Sequence, residues 1–425
     1  MKLLWVKSGG LAPPDTGGKI RSYQILRELA RRNEVTVALS YVTEKDKIDQ
    51  HPALESQFTR LVRWPVQPPD RASWSGGVQY ARNFLSAQPY SVVRFCHPEM
   101  LQDLRGVIHQ EKFDLIVCDF VLAAPLIPWN TTVPKILFTH NVEATIYRRH
   151  FEVARNPIWK AVWWREYRTM LRMERKYTRS ADHVLTVSEV DRRYFSRFAN
   201  TNKITAIPTG VDVEYFRPLP GAEQAHNLVF TGSMNWLPNE DGIIYFVQKI
   251  LPKVRRSVPD VVLWVVGRDP SVAVQKLAQE DPSVRVTGAV EDIRPYVGRG
   301  SVYVVPLRVG SGTRLKIFEA MAMGKAIVST TIGAEGLPVT HGKDILLADQ
   351  PEDFAQQTVQ LLQNESLRNQ LGAAARSLVE QHYSWGRVGA YCETVFSRVI
   401  QEYSGQRAVQ TSSPSSIERI SAADS

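Results

Sequence analysis

Short apolar runs that alternate with helix-like stretches are the feature that most constrains the fold of this chain. Each run has the length of a strand and ends in a small or polar residue. This alternation predicts an α/β fold with parallel sheets joined by right-handed crossovers. Ligands of such sheets bind beyond the carboxyl ends of the strands, so the residues after each run are candidate site residues. The predicted strands are 2–7, 35–39, 114–118, 135–139, 183–187, 228–231, 261–266, 302–305 and 326–329.

The chain has 425 residues, which is too long for one ordinary core and predicts two domains. A segment rich in Pro and Gly at 208–220 interrupts the alternation, which restarts at Leu228. We therefore predict an N-terminal domain over 1–208 and a second domain over 209–383. An amphipathic helix at 384–403 is expected to pack back on the first domain, and the Ser-rich remainder, 404–425, is expected to be disordered.

The charge balance indicates an anionic partner. A net charge of +9 fits nucleic acid, acidic lipid or a phosphorylated ligand, and does not choose among them. The three cysteines lie far apart and lack metal-ligand spacing. We therefore expect a protein of the reducing cytoplasm that has no structural zinc. We see no secretory leader and no apolar run near the roughly 20 residues that cross a bilayer.

Two adjacent glycines, Gly17 and Gly18, follow the first predicted strand and precede a helix expected to begin near Arg21. Such glycines let the backbone approach a phosphate closely, and the free amides of a helix start favour negative charge. A flexible turn between strand and helix is the alternative interpretation. The segment is not a Walker loop, because Lys19 is not followed by Ser or Thr.

The segment after the strand at 302–305 has the strongest chemical signal. A loop at 310–312 precedes a helix predicted to start near Thr313, which places Arg314 and Lys316 in or beside its first turn. Cations are unfavourable there unless an anion is bound too. A diphosphate would satisfy both, with Arg314 able to make a bidentate contact and Glu319 placed to accept ribose hydroxyls. The alternative is a solvated helix start.

Three motifs together resemble one enzyme family. They are the Gly-Gly pair, the Ile-Pro-Thr-Gly-Val-Asp linker at 207–212, and the Gly-Thr-Arg-Leu-Lys-Ile-Phe-Glu-Ala-Met-Ala run at 312–322. Over about residues 1–400 the chain resembles family four glycosyltransferases of the GT-B fold, and its opening stretch resembles those of bacterial exopolysaccharide systems. The resemblance implies two Rossmann-like domains whose parallel sheets face each other across a cleft, with the donor in the second and the acceptor in the first.

The resemblance also implies roles for matching positions. Arg314 and Lys316 would neutralise the donor diphosphate and act in catalysis, and Glu319 would hold the ribose. Further donor-binding residues implied in this way are Gly17, Gly18, Ser233, Asn239, Gly267, Arg268, Val290, Gly312 and Thr313.

The chain departs from the family pattern at two places. Many relatives have Glu where this chain has Ser311, and an Arg and Lys pair where it has Ser233 and, later, Asn239. We expect Arg314 and Lys316 to supply the missing positive charge from the other loop.

His140 follows directly after a predicted strand, at the face expected for the acceptor. The resemblance implies a histidine near here that contacts the transferred sugar or acceptor, so we predict a catalytic or orienting role. A hydrogen-bonded structural histidine is the alternative. Asp119 and Ser188 also end strands, where such residues often cap the next helix.

A basic aromatic helix is predicted over 158–179. One face carries Trp159, Trp163, Tyr167, Met170 and Leu171, and five arginines at 165, 168, 172, 175 and 179 are predicted on the opposite, solvent-facing side. The helix either packs on the first domain and exposes its arginines to solvent, or presents them to an anionic membrane. Nucleic acid has the same charge signature, but no recognition module accompanies it.

The function that follows is transfer of a hexose or N-acetylhexosamine from a nucleotide-diphosphate donor to a surface polysaccharide or lipid-linked glycan. Preorganised cations and helix amides would stabilise the leaving diphosphate. No Asp-x-Asp pair occurs, which argues against a bridging metal, and we expect no cofactor beyond the donor itself. Retention of anomeric configuration is implied by the resemblance. The alternatives are an epimerase or hydrolase, or a catalytically silent binding component motivated by Ser311.

Overall fold

The computed structural model describes residues 1–14, 16–42, 56–67, 74–309 and 315–412. They form two compact units. Unit 1 comprises Met1–Ile207 together with the described residues from Gly389 onward, and unit 2 comprises Pro208–Val388.

Unit 1 contains a seven-stranded parallel sheet in the order β3-β2-β1-β4-β5-β6-β7. Strands β2 and β3 are added on one side of β1, and strands β4 to β7 are added in order on its other side. The reversal therefore lies between β1 and β4. The strands are β1 (Lys2–Ser8), β2 (Glu34–Val42), β3 (Arg60–Val66), β4 (Leu115–Asp119), β5 (Lys135–Phe138), β6 (His183–Thr186) and β7 (Ile204–Ala206).

Unit 2 contains a six-stranded parallel sheet in the order β10-β9-β8-β11-β12-β13. Its reversal lies between β8 and β11. The strands are β8 (Asn227–Thr231), β9 (Val262–Val266), β10 (Val284–Val286), β11 (Val302–Val305), β12 (Ala326–Ser329) and β13 (Leu346–Leu347).

Helices connect most of the strands and cover the sheets. In unit 1 they are α1 (Gly17–Ala30), α2 (Trp74–Asn83), α3 (Tyr90–Val93), α4 (Pro98–Gln110), α5 (Glu143–Val153), α6 (Pro157–Ser180) and α7 (Glu189–Phe195). In unit 2 they are α8 (Leu237–Tyr245), α9 (Leu251–Ser257), α10 (Val272–Glu280), α11 (Arg294–Arg299), α12 (Leu315–Ala322), α13 (Pro351–Gln363) and α14 (Glu365–His382). The last helix, α15, is Trp385–Ser412.

The sheets are buried on both faces, which explains why the strands read as continuous apolar runs rather than alternating ones. Leu3, Leu4, Trp5 and Val6 of β1 are all fully buried. All nine predicted strands are confirmed, with ends within three residues of the prediction. The structure adds β3, β7, β10 and β13, which are partly exposed or only two or three residues long.

Two predicted helix boundaries were wrong. Helix α1 begins at Gly17, four residues before the expected start, so both glycines lie in its first turn. Helix α15 continues through Ser412, where disorder was expected from 404, because 404–412 contains helix-forming Gln, Arg and Ala residues. The part of the predicted tail at 413–425 is outside the described residues.

The C-terminal helix contributes to unit 1. Asn33 donates a hydrogen bond of 2.9 Å to Glu393, and Gly389 packs against the side chain of Glu28. Cys392, Val395, Phe396 and Val399 of the same helix are buried. Among the described helices, none is both long and apolar enough to span a bilayer.

Candidate functional site

The carboxyl ends of β8, β9 and β11 meet at the topological reversal of unit 2, the place where open α/β sheets bind ligands. The loops after β8 and β9 touch each other through glycines. The amide of Gly232 donates to the carbonyl of Val266 at 3.0 Å, and a Cβ on Gly267 would lie 1.8 Å from the carbonyl oxygen of Gly232. Both glycines have positive φ angles, +154° and +152°. Glycine is therefore required at Gly267 for the two loops to approach.

Lys316 lies in the first turn of α12 and directs its ammonium group toward the end of β8. Its Nζ donates to Asn239 Oδ1 at 2.7 Å and lies 4.2 Å from the centre of the buried Phe230 ring. A Cβ on Gly232 would lie 2.7 Å from this Nζ, so the missing side chain makes room for the cation. Asn239 in turn donates from Nδ2 to the carbonyl of Ser233 at 2.9 Å. The ammonium group is thus held at a fixed place.

The structure brings five predicted donor residues together at this edge: Ser233, Asn239, Gly267, Arg268 and Lys316. Besides the contacts above, Arg268 donates from Nε to Ser233 Oγ at 3.4 Å. Arg268 is exposed, and its guanidinium lies 3.9 Å from Asp269. Val290 follows the outer strand β10, the neighbour of β9, and packs against the core of unit 2.

Glu319 lies on α12, one turn beyond Lys316. Burial raises the pKa of Glu319 to about 7, and the nearby Lys316 opposes that rise. The carboxyl group can therefore both donate and accept hydrogen bonds near neutral pH. The predicted residues Gly312, Thr313 and Arg314 are outside the described residues, as is Ser311.

A second polar group lies in unit 1 at the reversal between β1 and β4. Asp119 is its centre and is fully buried. Lys7 Nζ lies 3.2 Å from Asp119 Oδ2, which also accepts from Trp5 Nε1 at 3.0 Å. His140 Nε2 lies 2.6 Å from Asp119 Oδ1. Arg21, also buried, lies 3.4 Å from Nδ1 of the same imidazole ring.

Electrostatics fixes the protonation of this group. Burial opposes the charge on Asp119, but Lys7 and His140 outweigh it and lower the pKa of that carboxyl. Burial lowers the pKa of His140 to about 4, although Asp119 acts to raise it. Burial also lowers the pKa of Arg21 to about 10, which leaves it charged. At neutral pH the uncharged ring thus donates from Nε2 to Asp119 and accepts from Arg21 at Nδ1.

The His140 ring is enclosed. It stacks on Phe120 with centroids 4.1 Å apart and lies 4.4 Å from Phe138, and its side chain is only 1% exposed. Phe120 has a φ of +69°, which is rare for a bulky residue. A Cβ on Gly18 would lie 2.8 Å from the Phe120 ring. Gly18 therefore has a packing reason to be glycine, besides its predicted phosphate contact.

Sequence reasoning missed the centre of this group. The sequence pattern predicts Asp119 only as a helix cap, and it predicts no role for Lys7 or Arg21. A signal was present: Lys7 and Asp119 each directly follow a run of four buried residues in their strand, and a charge placed there needs a partner. Ser188, by contrast, does cap a helix, accepting from the amide of Asp191 at 3.1 Å.

The predicted arginine face of α6 was wrong at one position. Arg165 is buried, and its guanidinium donates to the carbonyls of Asn83, Phe84, Ser86 and Gln88 and pairs with Glu166. Carbonyls at and after the end of α2 thus satisfy the Arg165 guanidinium, which helical periodicity had predicted to face solvent. Arg168, Arg172, Arg175 and Arg179 are exposed as predicted.

Two family models match the chain. "Glycosyltransferase Family 4" matches residues 16–215, and "Glycosyl transferases group 1" matches residues 225–364. Together they cover about four fifths of the chain and divide between the two units.

Characterised and uncharacterised relatives are distant. A Klebsiella pneumoniae "uncharacterized 44.6 kDa protein in cps region" is 23% identical over 358 residues, which is 78% of this chain and 88% of that protein. A Corynebacterium glutamicum "GDP-mannose-dependent monoacylated alpha-(1-6)-phosphatidylinositol monomannoside mannosyltransferase" is 24% identical over 221 residues, 47% of this chain and 57% of that one. The chain thus matches little more than half the length of this mannosyltransferase.

Solved structures share the fold at low identity. Sucrose-phosphate synthase from Thermosynechococcus elongatus superposes with a TM-score of 0.67 at 16% identity, covering 95% of this chain and 100% of that one. Anabaena HepE in complex with UDP gives 0.64 at 14% identity, with 94% and 100% covered. WaaG, a glycosyltransferase involved in lipopolysaccharide biosynthesis, gives 0.59 at 14% identity, with 93% and 99% covered.

Two parallel-sheet Rossmann-like units with these matches define an enzyme of the GT-B glycosyltransferase class. Within that class, the chain belongs to the glycosyltransferases that carry a family 4 domain followed by a group 1 domain.

Proposed function

We propose that this glycosyltransferase moves a sugar, with retention, from a nucleotide-diphosphate donor bound at the carboxyl edge of the unit 2 sheet. The observation that carries the proposal is the fixed Lys316 ammonium, held by Asn239 and Phe230 where β8 and β11 end. The acceptor is a surface polysaccharide or a lipid-linked glycan, and the transferred sugar is a hexose or an N-acetylhexosamine.

The charge of this edge supports a diphosphate ligand. Lys316 lies in the first turn of α12, where a helix favours anions and disfavours cations. A bound diphosphate would satisfy the helix amides and the ammonium at once. Anabaena HepE has been solved with UDP and with UDP-glucose, and the Corynebacterium relative is named as GDP-mannose-dependent, so UDP and GDP are the donors to test.

Departure of the sugar leaves negative charge on the nucleotide diphosphate. A preorganised cation and helix amides lower the barrier for that step. We assign the neutralising role to Lys316 and Arg314, the ribose contact to Glu319, and diphosphate contacts to Gly17, Gly18, Gly312 and Thr313. Ser233, Gly267, Arg268 and Val290 are proposed to line the donor site.

We propose that the reaction needs neither a metal nor a cofactor. Lys316 and Arg314 would take the role that a divalent cation has in glycosyltransferases with an Asp-x-Asp pair, and the sequence contains no such pair.

In unit 1, we propose an orienting role for His140 rather than proton transfer. Its neutral ring is enclosed, and both nitrogens have partners. It would hold the buried Arg21 in place near the first turn of α1.

For the acceptor, the names of several relatives supply the support. One is encoded in a cps region, and others are named as phosphatidyl-myo-inositol mannosyltransferases. We therefore propose that the enzyme acts at the inner face of a membrane, in peripheral contact with anionic lipid, and that nucleic acid is not a partner.

A thermal-shift series with UDP, GDP, ADP and their sugar conjugates tests donor binding. At about 100 times its dissociation constant, a ligand should add roughly 2.7 kcal/mol of stability. Lys316→Ala should reduce the shift sharply. Lys276→Ala is the matched control, because Lys276 is an exposed lysine on α10 of the same unit. No shift with any nucleotide, or an equal shift in Lys316→Ala, would contradict the donor assignment.

Turnover separates the remaining alternatives. With the stabilising donor carrying a radiolabelled sugar and a membrane lipid extract as acceptor source, transfer to lipid or glycan supports the proposed function. Conversion of donor without acceptor would instead indicate an epimerase or hydrolase. Binding with no turnover would indicate a catalytically silent component.

A further inference from the structure

The turn between α5 and α6 exposes apolar side chains on a rigid helical hairpin. Every residue at 155–161 is exposed. Ile158 is 74% exposed and Trp159 is 57% exposed, and both lie in the first turn of α6. We call residues 154–160 the hairpin tip.

A helix cap and ring contacts order the hairpin tip. Asn156 caps α6 by accepting from the amides of Ile158 and Trp159 at 2.9 and 3.4 Å. The Trp159 ring stacks on Trp163, with centroids 6.4 Å apart, and Trp163 stacks on His150 of α5 at 4.6 Å. A column of aromatic rings thus supports the exposed indole. Side chains that are fixed before binding lose less entropy when they bind.

Exposed basic side chains accompany the apolar pair on the tip and on the preceding helix. Arg155 and Lys160 flank it within the hairpin tip, and Arg148 and Arg149 lie on the exposed surface of α5. Glu152 is the only acid in the sequence at 144–164, and Arg148 neutralises it at 3.2 Å. Exposed apolar and aromatic groups together with cations are the composition of a surface that binds the headgroup region of an anionic bilayer.

We propose that the hairpin tip is the site by which this enzyme docks on an anionic lipid bilayer, with Ile158 and Trp159 in the headgroup region and Arg155 and Lys160 beside lipid phosphates. This deepens the proposed function by locating the membrane contact. It differs from the expected arginine face of α6, one member of which, Arg165, is buried. The contact does not depend on the donor site, so the two can fail separately.

Flotation of the full chain with vesicles tests the proposal. Vesicles of phosphatidylcholine alone are compared with vesicles containing phosphatidylglycerol, at low and at high salt. We expect binding to the anionic vesicles that high salt weakens. Ile158→Ser with Trp159→Ser should lower partitioning by at least about tenfold, because two apolar groups leave the headgroup region. Arg155→Glu with Lys160→Glu should lower it by about fivefold or more for each residue.

Matched controls lie in unit 2. Val272→Ser changes an apolar residue that is 82% exposed, and Lys249→Glu with Arg256→Glu reverses two exposed charges. Both should float as the unaltered chain does. All variants are also tested for the thermal shift with the stabilising nucleotide, which the tip variants should retain if folded.

Three outcomes would overturn the proposal. They are no flotation of the unaltered chain with any vesicle, equal flotation of the tip and control variants, and dimerisation by light scattering that the tip variants abolish without any lipid binding. Loss of nucleotide binding with normal flotation would count against the donor site alone.

Discussion

At the scale of single residues, the buried imidazole of His140 makes unit 1 sensitive to acid. Its pKa is about 4 in the folded protein and about 6.5 when exposed, so the unfolded chain binds the proton first as pH falls. Folding stability is therefore lost between about pH 6.5 and 4. The loss is about 3 kcal/mol, because each pKa unit corresponds to about 1.4 kcal/mol. The low pKa of Asp119 adds a further loss at more acidic pH. Urea unfolding at about pH 7, 6 and 5 measures this dependence.

His140→Gln tests the origin of that pH dependence. Glutamine can donate and accept hydrogen bonds but does not titrate, so the variant should be less stable at pH 7 and lose less stability on acidification. His183→Gln is the companion variant, because burial also lowers the pKa of His183 to about 4. Each substitution should reduce the slope of the free energy of unfolding against pH. An unaltered slope in His140→Gln would show that the ring does not titrate as described.

Substitution of Asn239 should change the affinity for nucleotide. The Asn239 side chain accepts from Lys316 at Oδ1 and donates from Nδ2 to the Ser233 carbonyl, so Asn239→Leu keeps the branched shape of the side chain but removes its hydrogen bond to the ammonium. We expect about a tenfold weaker affinity for the stabilising nucleotide, measured by calorimetry. Asn239→Asp, which still accepts from Lys316, should recover part of it. Equal affinity in all three proteins would show that Asn239 does not position the cation.

At the scale of elements, apolar runs identified the central strands because those strands are buried on both faces. Edge strands escaped this signal: β3 carries Arg60 and Arg63 on an exposed edge, and β10 has only three residues. The positions of Ser233, Gly267 and Lys316 at the carboxyl edge of the unit 2 sheet were predictable, because these residues follow strands or open a helix. The charges of Lys7 and Asp119 indicated that each needs a partner, but the partners themselves could not be predicted, because strand order alone brings residues so far apart in sequence together.

At the same scale, the close contact between the loops after β8 and β9 should make unit 2 sensitive to substitution of Gly267. Gly267→Ala would place a Cβ 1.8 Å from the Gly232 carbonyl oxygen, so the loops must separate. We expect unit 2 to lose about 3 kcal/mol or more and the nucleotide shift to disappear. Gly288→Ala is the control, since Gly288 also has a positive φ, +71°, but open space around it, and should cost only about 1 to 2 kcal/mol. Thermal unfolding of both variants measures the loss of stability. An equal loss in the two variants would contradict the predicted crowding at Gly267.

At the scale of the whole molecule, unit 1 is discontinuous in sequence. It needs the part of α15 from Gly389 onward, which buries Cys392, Val395, Phe396 and Val399. A chain ending at Val388 should keep unit 2 but lower the melting temperature of unit 1 by about 10 °C or more. Hydrogen exchange at β1 and β2 measures the loss. A chain ending at Gly405 is the control and should match the full chain, whereas equal protection in both truncations would contradict the prediction.

That discontinuity has a consequence during translation. Residues 208–388 leave the ribosome as a complete unit, and they can fold while the earlier half of the nascent chain still lacks its final segment. The first unit to be synthesised is thus the last to be completed. Until the residues from Gly389 onward emerge, the hydrophobic surface of unit 1 that they cover is available to chaperones.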